Sequence, residues 1–173
     1  AVAVLVRDGL EATTMERVAE EAGVAKGSLY NYFANKTDLL DFVHERTIEP
    51  LRQGARESLD ANIPATEKLR AFVTLSLEYL HARRGLFHFL FTEHAIHKLI
   101  NVPKGEGSQH VAAILRQGIE EGVFQAVNPE FYGTLLFGAI RQVFEEQLAD
   151  DRPWAVEDMT RTIMSFLLDG VRQ

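Results

Sequence analysis

Apolar residues recur at three- and four-residue spacing along almost the whole chain, and no stretch alternates polar and apolar with β-branched residues at period two. Segments patterned this way bury themselves as helices carrying one apolar stripe each, so the fold is expected to be all-α. Prolines and glycines divide the pattern into nine helical blocks, at about 1–8, 14–22, 26–33, 36–59, 65–83, 85–99, 108–121, 129–149 and 154–171. Val2, Leu5 and Val6 already share one helical face, so the first helix is expected to have begun upstream of Ala1. Residues 101–108, with Pro103, Gly105 and Gly107, have the composition of a connector.

Composition narrows the class. The chain has 173 residues, of which 18 are Lys or Arg and 25 are Asp or Glu, and its net charge is −7. At this length roughly 70% of the unfolded surface can be buried, enough for one large core or two small ones. The absence of cysteine excludes disulfides, thiolate metal sites and a cysteine nucleophile. The longest apolar run, Ala1–Val6, falls far short of the ~20 residues that cross a bilayer, so no membrane partner is expected. No secretory leader is recognisable, and a cytoplasmic location is expected. The acidic total argues against coating nucleic acid non-specifically and leaves room for a small reading module.

Local signals sharpen residues 13–38. Thr13 with Glu16 reads as a capping box, and Asn35 with Asp38 as a weaker one. Gly23 reads as a left-handed helix cap. The connection Gly23–Val24–Ala25 between two short helices is the spacing of a helix-turn-helix. Residues 22–37 contain no acid and two lysines. On a helix starting at Lys26, Leu29 and Phe33 form the buried stripe against Val18, Ala19 and Ala22. Lys26, Gly27, Ser28, Tyr30 and Asn31 are left on or beside the outer face. Gly27 costs such a helix about 0.8–1 kcal/mol relative to Ala, and in return lets the backbone approach a surface closely. The plain alternative is a helical hairpin inside a core, with Tyr30 and Tyr32 half-buried.

The run Thr13-Thr14-Met15-Glu16-Arg17-Val18-Ala19-Glu20-Glu21-Ala22-Gly23-Val24-Ala25-Lys26-Gly27-Ser28-Leu29-Tyr30-Asn31-Tyr32-Phe33, followed by Lys36 and Leu39, resembles the DNA-binding domain of TetR-family transcriptional regulators. The resemblance implies a homodimeric repressor that binds double-stranded, palindromic operator DNA and releases it on binding a small molecule, with no cofactor. It implies phosphate contacts from Thr14, Tyr32 and Lys36, and groove contacts from Lys26, Gly27 and Tyr30, with Ser28 and Asn31 beside them. Ala25 departs from the Ser or Thr usual in the family, which removes a side-chain cap and one phosphate contact. Residues 1–46 hold five basic and eight acidic residues, a net of −3, so a basic arm before Ala1 is expected to supply the missing positive charge.

The expected division is a reading domain over 1–46 and a ligand-binding and dimerisation bundle over 47–173. Pro50 lies inside the fourth block, either as a tolerated kink or as the bend of a shaft that links pocket to reader. Where the family places its pocket, the candidate lining is Phe72, Leu75, Tyr79, Phe87, Phe91, Ile114 and Phe137. Arg116, Arg141, His88 and His94 are the candidate polar anchors for a lipophilic or aromatic effector. The candidate dimer face combines Phe131, Leu135, Gly138, Ala139 and Gln142 with Ile163, Phe166 and Leu167, and Gly133 among the small residues; the alternative is packing within one chain. Control by a protein partner instead of a small molecule is the second reading. Catalysis is not expected: Glu78-x-x-His81 has no second copy, and His94, His97 and Glu93 form an isolated group.

Overall fold

The computed structural model describes residues 1–87, 105–148, 150 and 154–171. Eight helices are placed among them: α1 (Val2–Ala12), α2 (Met15–Glu21), α3 (Lys26–Tyr30), α4 (Lys36–Asp60), α5 (Ala65–Ala82), α6 (Glu106–Glu120), α7 (Pro129–Leu148) and α8 (Val156–Val171). Residues 84–87 are also helical, and no β-strand occurs among the described residues. The chain is all-α, as the periodicity predicts. The chain forms two compact units that divide α4 at Pro50–Leu51. Residues 1–50 and 83–87 belong to the first, and residues 51–82 with the described residues from 105 onward to the second.

The first unit closes over a small core of Val4, Met15, Val18, Ala19, Leu29 and Leu39, with Ala1, Phe33 and Val43 packed at its edge. Gly9 interrupts α1 with φ of 78°, a left-handed conformation that side chains rarely adopt. The Thr13 hydroxyl donates to the Gly9 carbonyl at 2.6 Å, so the carbonyl left exposed by that bend keeps a partner. The first block therefore breaks where the sequence predicts and resumes as far as Ala12. The α4 start is capped reciprocally: the Asp38 N–H donates to Asn35 Oδ1 at 3.0 Å and the Ala34 N–H to Asp38 Oδ2 at 3.1 Å.

The second unit has the larger core, in which Leu69, Phe72, Val73 and Leu77 of α5 meet Val111, Ile114 and Leu115 of α6. Leu136 and Ile140 of α7 and Met159, Ile163, Met164 and Leu168 of α8 complete it. Its helix ends are satisfied by charged side chains. The Ala65 N–H at the head of α5 donates to Glu121 Oε2 at 3.0 Å, and the buried Lys68 donates to the Leu59 carbonyl near the end of α4. Gly133 lets α7 approach α6, since a Cβ there would lie closer than 3.0 Å to the Ser108 carbonyl. That glycine serves packing within the chain and leaves no room for the dimer role proposed for it among the small residues.

Candidate nucleic-acid interface

The candidate interface is built by α2, the turn and α3. Thr14, not Thr13, caps α2: the Arg17 N–H donates to Thr14 Oγ1 at 3.3 Å. The reason is register, because Thr13 is buried with its hydroxyl committed to Gly9, while Thr14 stands in extended conformation one residue ahead of the helix. At the other end, the Val24 N–H donates to the Ala19 carbonyl and the Gly23 N–H to that of Glu20, both at 3.0 Å. Gly23 has φ of 68°, so the turn is a Schellman motif with glycine at its left-handed position. The chain then enters α3 through Ala25, which offers no side-chain hydrogen bond to the helix.

Only Leu29 of α3 is buried. The helix ends at Tyr30 rather than Phe33, and Tyr32 and Phe33 follow in a turn held by two hydrogen bonds to the Leu29 carbonyl. Lys26, Gly27, Ser28, Tyr30 and Asn31 are all exposed, as are Thr14 and Tyr32. Tyr32 is 83% exposed and Tyr30 42%, a large polar-tipped aromatic surface on a unit of this size. A Cβ on Gly27 would meet nothing within 4 Å, so its lack of a side chain is not required by the fold. The structure thus rejects the buried-hairpin alternative. Lys36 differs: it is half-buried and its ammonium donates to the Leu10 carbonyl.

Lys26, Arg7 and Arg17 of this unit are each paired with a carboxylate. Lys26 forms an ion pair with Glu16 of α2 and lies 5.6 Å from the Tyr30 ring centroid. Its hydrogen bond to Glu16 raises the Lys26 ammonium above its ordinary range and, with the Glu16 backbone N–H, lowers the Glu16 carboxyl. Arg7 bonds Asp8 at 2.8 Å and Glu21 at 3.0 Å, and Arg17 bonds the same Asp8 at 3.0 Å. Sequence reasoning missed the Glu16–Lys26 pair, because the ten-residue separation becomes proximity only once the turn folds α3 back on α2.

In the second unit, Phe72, Tyr79 and Ile114 are buried and Leu75 half-buried over Gly54. Phe137 is exposed at the edge of its ring contact with Gly107. The structure does not bring Arg116 and Arg141 into an apolar wall. Both are exposed, Arg116 paired with Glu130 and Arg141 with Glu145 at 2.6 Å, since water and a carboxylate suit a guanidinium better than that wall. Phe87 is buried in the first unit. His88, Phe91 and His94 lie outside the described residues, as do His97 and Glu93. Among the described residues no group of three or more His, Asp or Glu could hold a metal ion.

On α7 and α8, Phe131 is 60% exposed and Phe166 74%, and Leu135, Gly138 and Gln142 lie open beside Phe131 at helical spacing, with Ala139 half-buried. Gln142 donates to Glu146 at 3.1 Å. Ile163 instead belongs to the core of its own unit, with Leu167 packed against that core, because α8 turns one stripe inward and that stripe includes them.

Residues 1–43 match the family model for bacterial regulatory proteins of the tetR family, and residues 62–171 that for the tetracyclin repressor-like C-terminal domain. The chain belongs to the TetR family of transcriptional regulators. It is 28% identical over 180 residues to the transcriptional repressor KstR2 of Mycobacterium tuberculosis, an alignment covering 99% of this chain and 88% of that one. It is 22% identical to the fatty acid metabolism regulator protein of Bacillus subtilis, over 99% of this chain and 91% of the relative. Among solved structures, FadR from Bacillus subtilis in complex with stearoyl-CoA superposes with a TM-score of 0.85 at 20% identity, covering 99% and 96% of the two chains. These relatives are regulators, not enzymes. Among the described residues, no helix is long and apolar enough to cross a membrane.

Proposed function

We propose that this TetR-family regulator is a repressor that binds a palindromic operator as a homodimer, in the cytoplasm, and lets it go when a lipophilic small molecule binds. The reader spans residues 1–46 and the effector and dimer module residues 47–173. Lys26, Gly27, Ser28, Tyr30 and Asn31 face the groove, and Thr14, Tyr32 and Lys36 hold the phosphates. The observation that carries this reading is the exposed outer face of α3, a helix that has no acidic residue of its own and buries only Leu29. The dimer reading rests on the exposed apolar side chains Phe131 and Leu135 of α7 and Phe166 of α8, since one small head alone would grip DNA weakly.

The relatives' own names support this effector class: a ketosteroid transcriptional regulator is among the similar solved structures, and so is the transcriptional regulator FadR in complex with stearoyl-CoA. The buried residues of the second unit are mostly aliphatic and phenyl, the chemistry that a long apolar chain or ring system prefers. The test is selection of bound duplexes from a random pool, followed by addition of stearoyl-CoA to the recovered complex. A palindrome with two equivalent half-sites, released by the acyl thioester, is expected. Recovery of no common sequence would contradict the reading of α3.

A further inference from the structure

Lys26 is the one cation on the exposed face of α3, and it is not presented to solvent alone. Its ammonium is bonded by Glu16 from the first turn of α2 and rests beside the Tyr30 ring, while both charged side chains stay more than half exposed. The neighbouring cations are held in the same manner, Arg7 and Arg17 by Asp8 and Arg7 also by Glu21. Three of the five Lys and Arg residues in 1–46 are thus held by carboxylates, which reduces the positive charge free for the sequence-independent attraction that dominates non-specific DNA binding.

We propose that Glu16 is a specificity-determining residue of the reader, holding Lys26 so that a base edge can recruit it and a bare phosphate cannot do so profitably. The proposal rests on α3 being the DNA reader. A phosphate that takes the ammonium from Glu16 leaves that carboxylate facing the anionic backbone, so the exchange is opposed twice. A guanine edge presents two acceptors in the groove, and an ammonium with three N–H donors serves them while one donor stays on Glu16. The Tyr30 ring restricts the lysine to the same region, so fewer side-chain conformations are lost when it engages. Glu16 is thus a positioning residue that acts through Lys26, and it lowers affinity for random DNA more than affinity for the operator.

The test compares wild type with Glu16→Gln on two duplexes of equal length, the selected palindrome and a random sequence, across a salt series. Glu16→Gln is expected to tighten binding to the random duplex about two- to fivefold, the scale of an exposed ion pair. Operator affinity changes less, so the ratio between the two falls. The slope of log affinity against log salt steepens by up to about one for the random duplex. In a Lys26→Ala background the gain disappears. Glu16→Ser repeats the comparison without an amide in the carboxylate's place, and thermal melting checks that each variant folds. Unchanged affinity and slope in both Glu16 variants, or a gain that survives Lys26→Ala, overturns the proposal. If Lys26→Ala and Tyr32→Ala bind like wild type, the reading of α3 fails instead, and the two failures are distinguishable.

Discussion

The two units divide their chemistry in opposite ways. The first has six buried residues in its core cluster and carries its distinctive side chains outside, on a five-residue helix anchored by Leu29. The second turns most of its large aliphatic and aromatic residues inward from four helices, leaving Phe131, Leu135 and Phe166 open, and its charges serve helix ends and outer faces. A glycine means different things in each. Gly27 faces open space, so the fold tolerates a side chain there, whereas Gly133 meets the Ser108 backbone and the fold does not. Residue identity in the first unit is set by what lies outside the protein, and in the second by what lies inside it.

That contrast can be broken most forcefully at Gly133. Gly133→Leu forces a side chain against backbone that has nowhere to move, and a loss of about 3 kcal/mol or more is expected, read as a lower urea midpoint. A midpoint within the error of wild type would mean α6 and α7 are not in contact there. Gly27→Ala should do the reverse. It is expected to stabilise α3 by about 0.5–1 kcal/mol while weakening operator binding in a mobility-shift titration, because a methyl group now stands where backbone approaches the groove. Stabilisation without any loss of binding would show that this backbone does not approach DNA.

The smallest effect sharpens the second half of the comparison. His110 stacks on Phe72 with ring centroids 5.2 Å apart, and its Nε2 is buried without a hydrogen-bond partner. Burial lowers its imidazole below the ordinary 6.5, and Arg56 adds to the lowering, against the Ala55 carbonyl hydrogen bond and Glu106, which raise it. A folded value below the unfolded one gives stability that is complete above about pH 6.5 and is lost as pH falls below it, since the unfolded chain takes the proton first. His110→Phe, which keeps the stack, is expected to flatten stability against pH between about 7 and 5 relative to wild type. An identical pH profile would place the dependence on other groups.

The same contrast explains what was legible beforehand. The all-α fold and the Asn35–Asp38 cap could be read from periodicity and from capping chemistry confined to four residues. The left-handed Gly23 was readable because only glycine adopts that backbone without strain. The α2 cap slipped by one residue, from Thr13 to Thr14, because both threonines satisfy the local rule and only tertiary burial of Thr13 decides between them. Arg116, Arg141 and Ile163 were misplaced for a related reason. On bundle helices the pattern says which residues are apolar but not which stripe faces a cavity, a core or a second copy. Glu16 was invisible as the partner of Lys26, since no short-range rule connects them.

The most direct test of α3 as a DNA reader is a binding titration of wild type, Lys26→Ala and Tyr32→Ala against the selected operator and its single-base variants. Lys26→Ala is expected to lose discrimination at one base position of each half-site, at a cost of about 1–3 kcal/mol there. Tyr32→Ala is expected to weaken all the duplexes alike. If both variants keep wild-type affinity and wild-type base preference, the exposed face of α3 is not the surface that meets DNA.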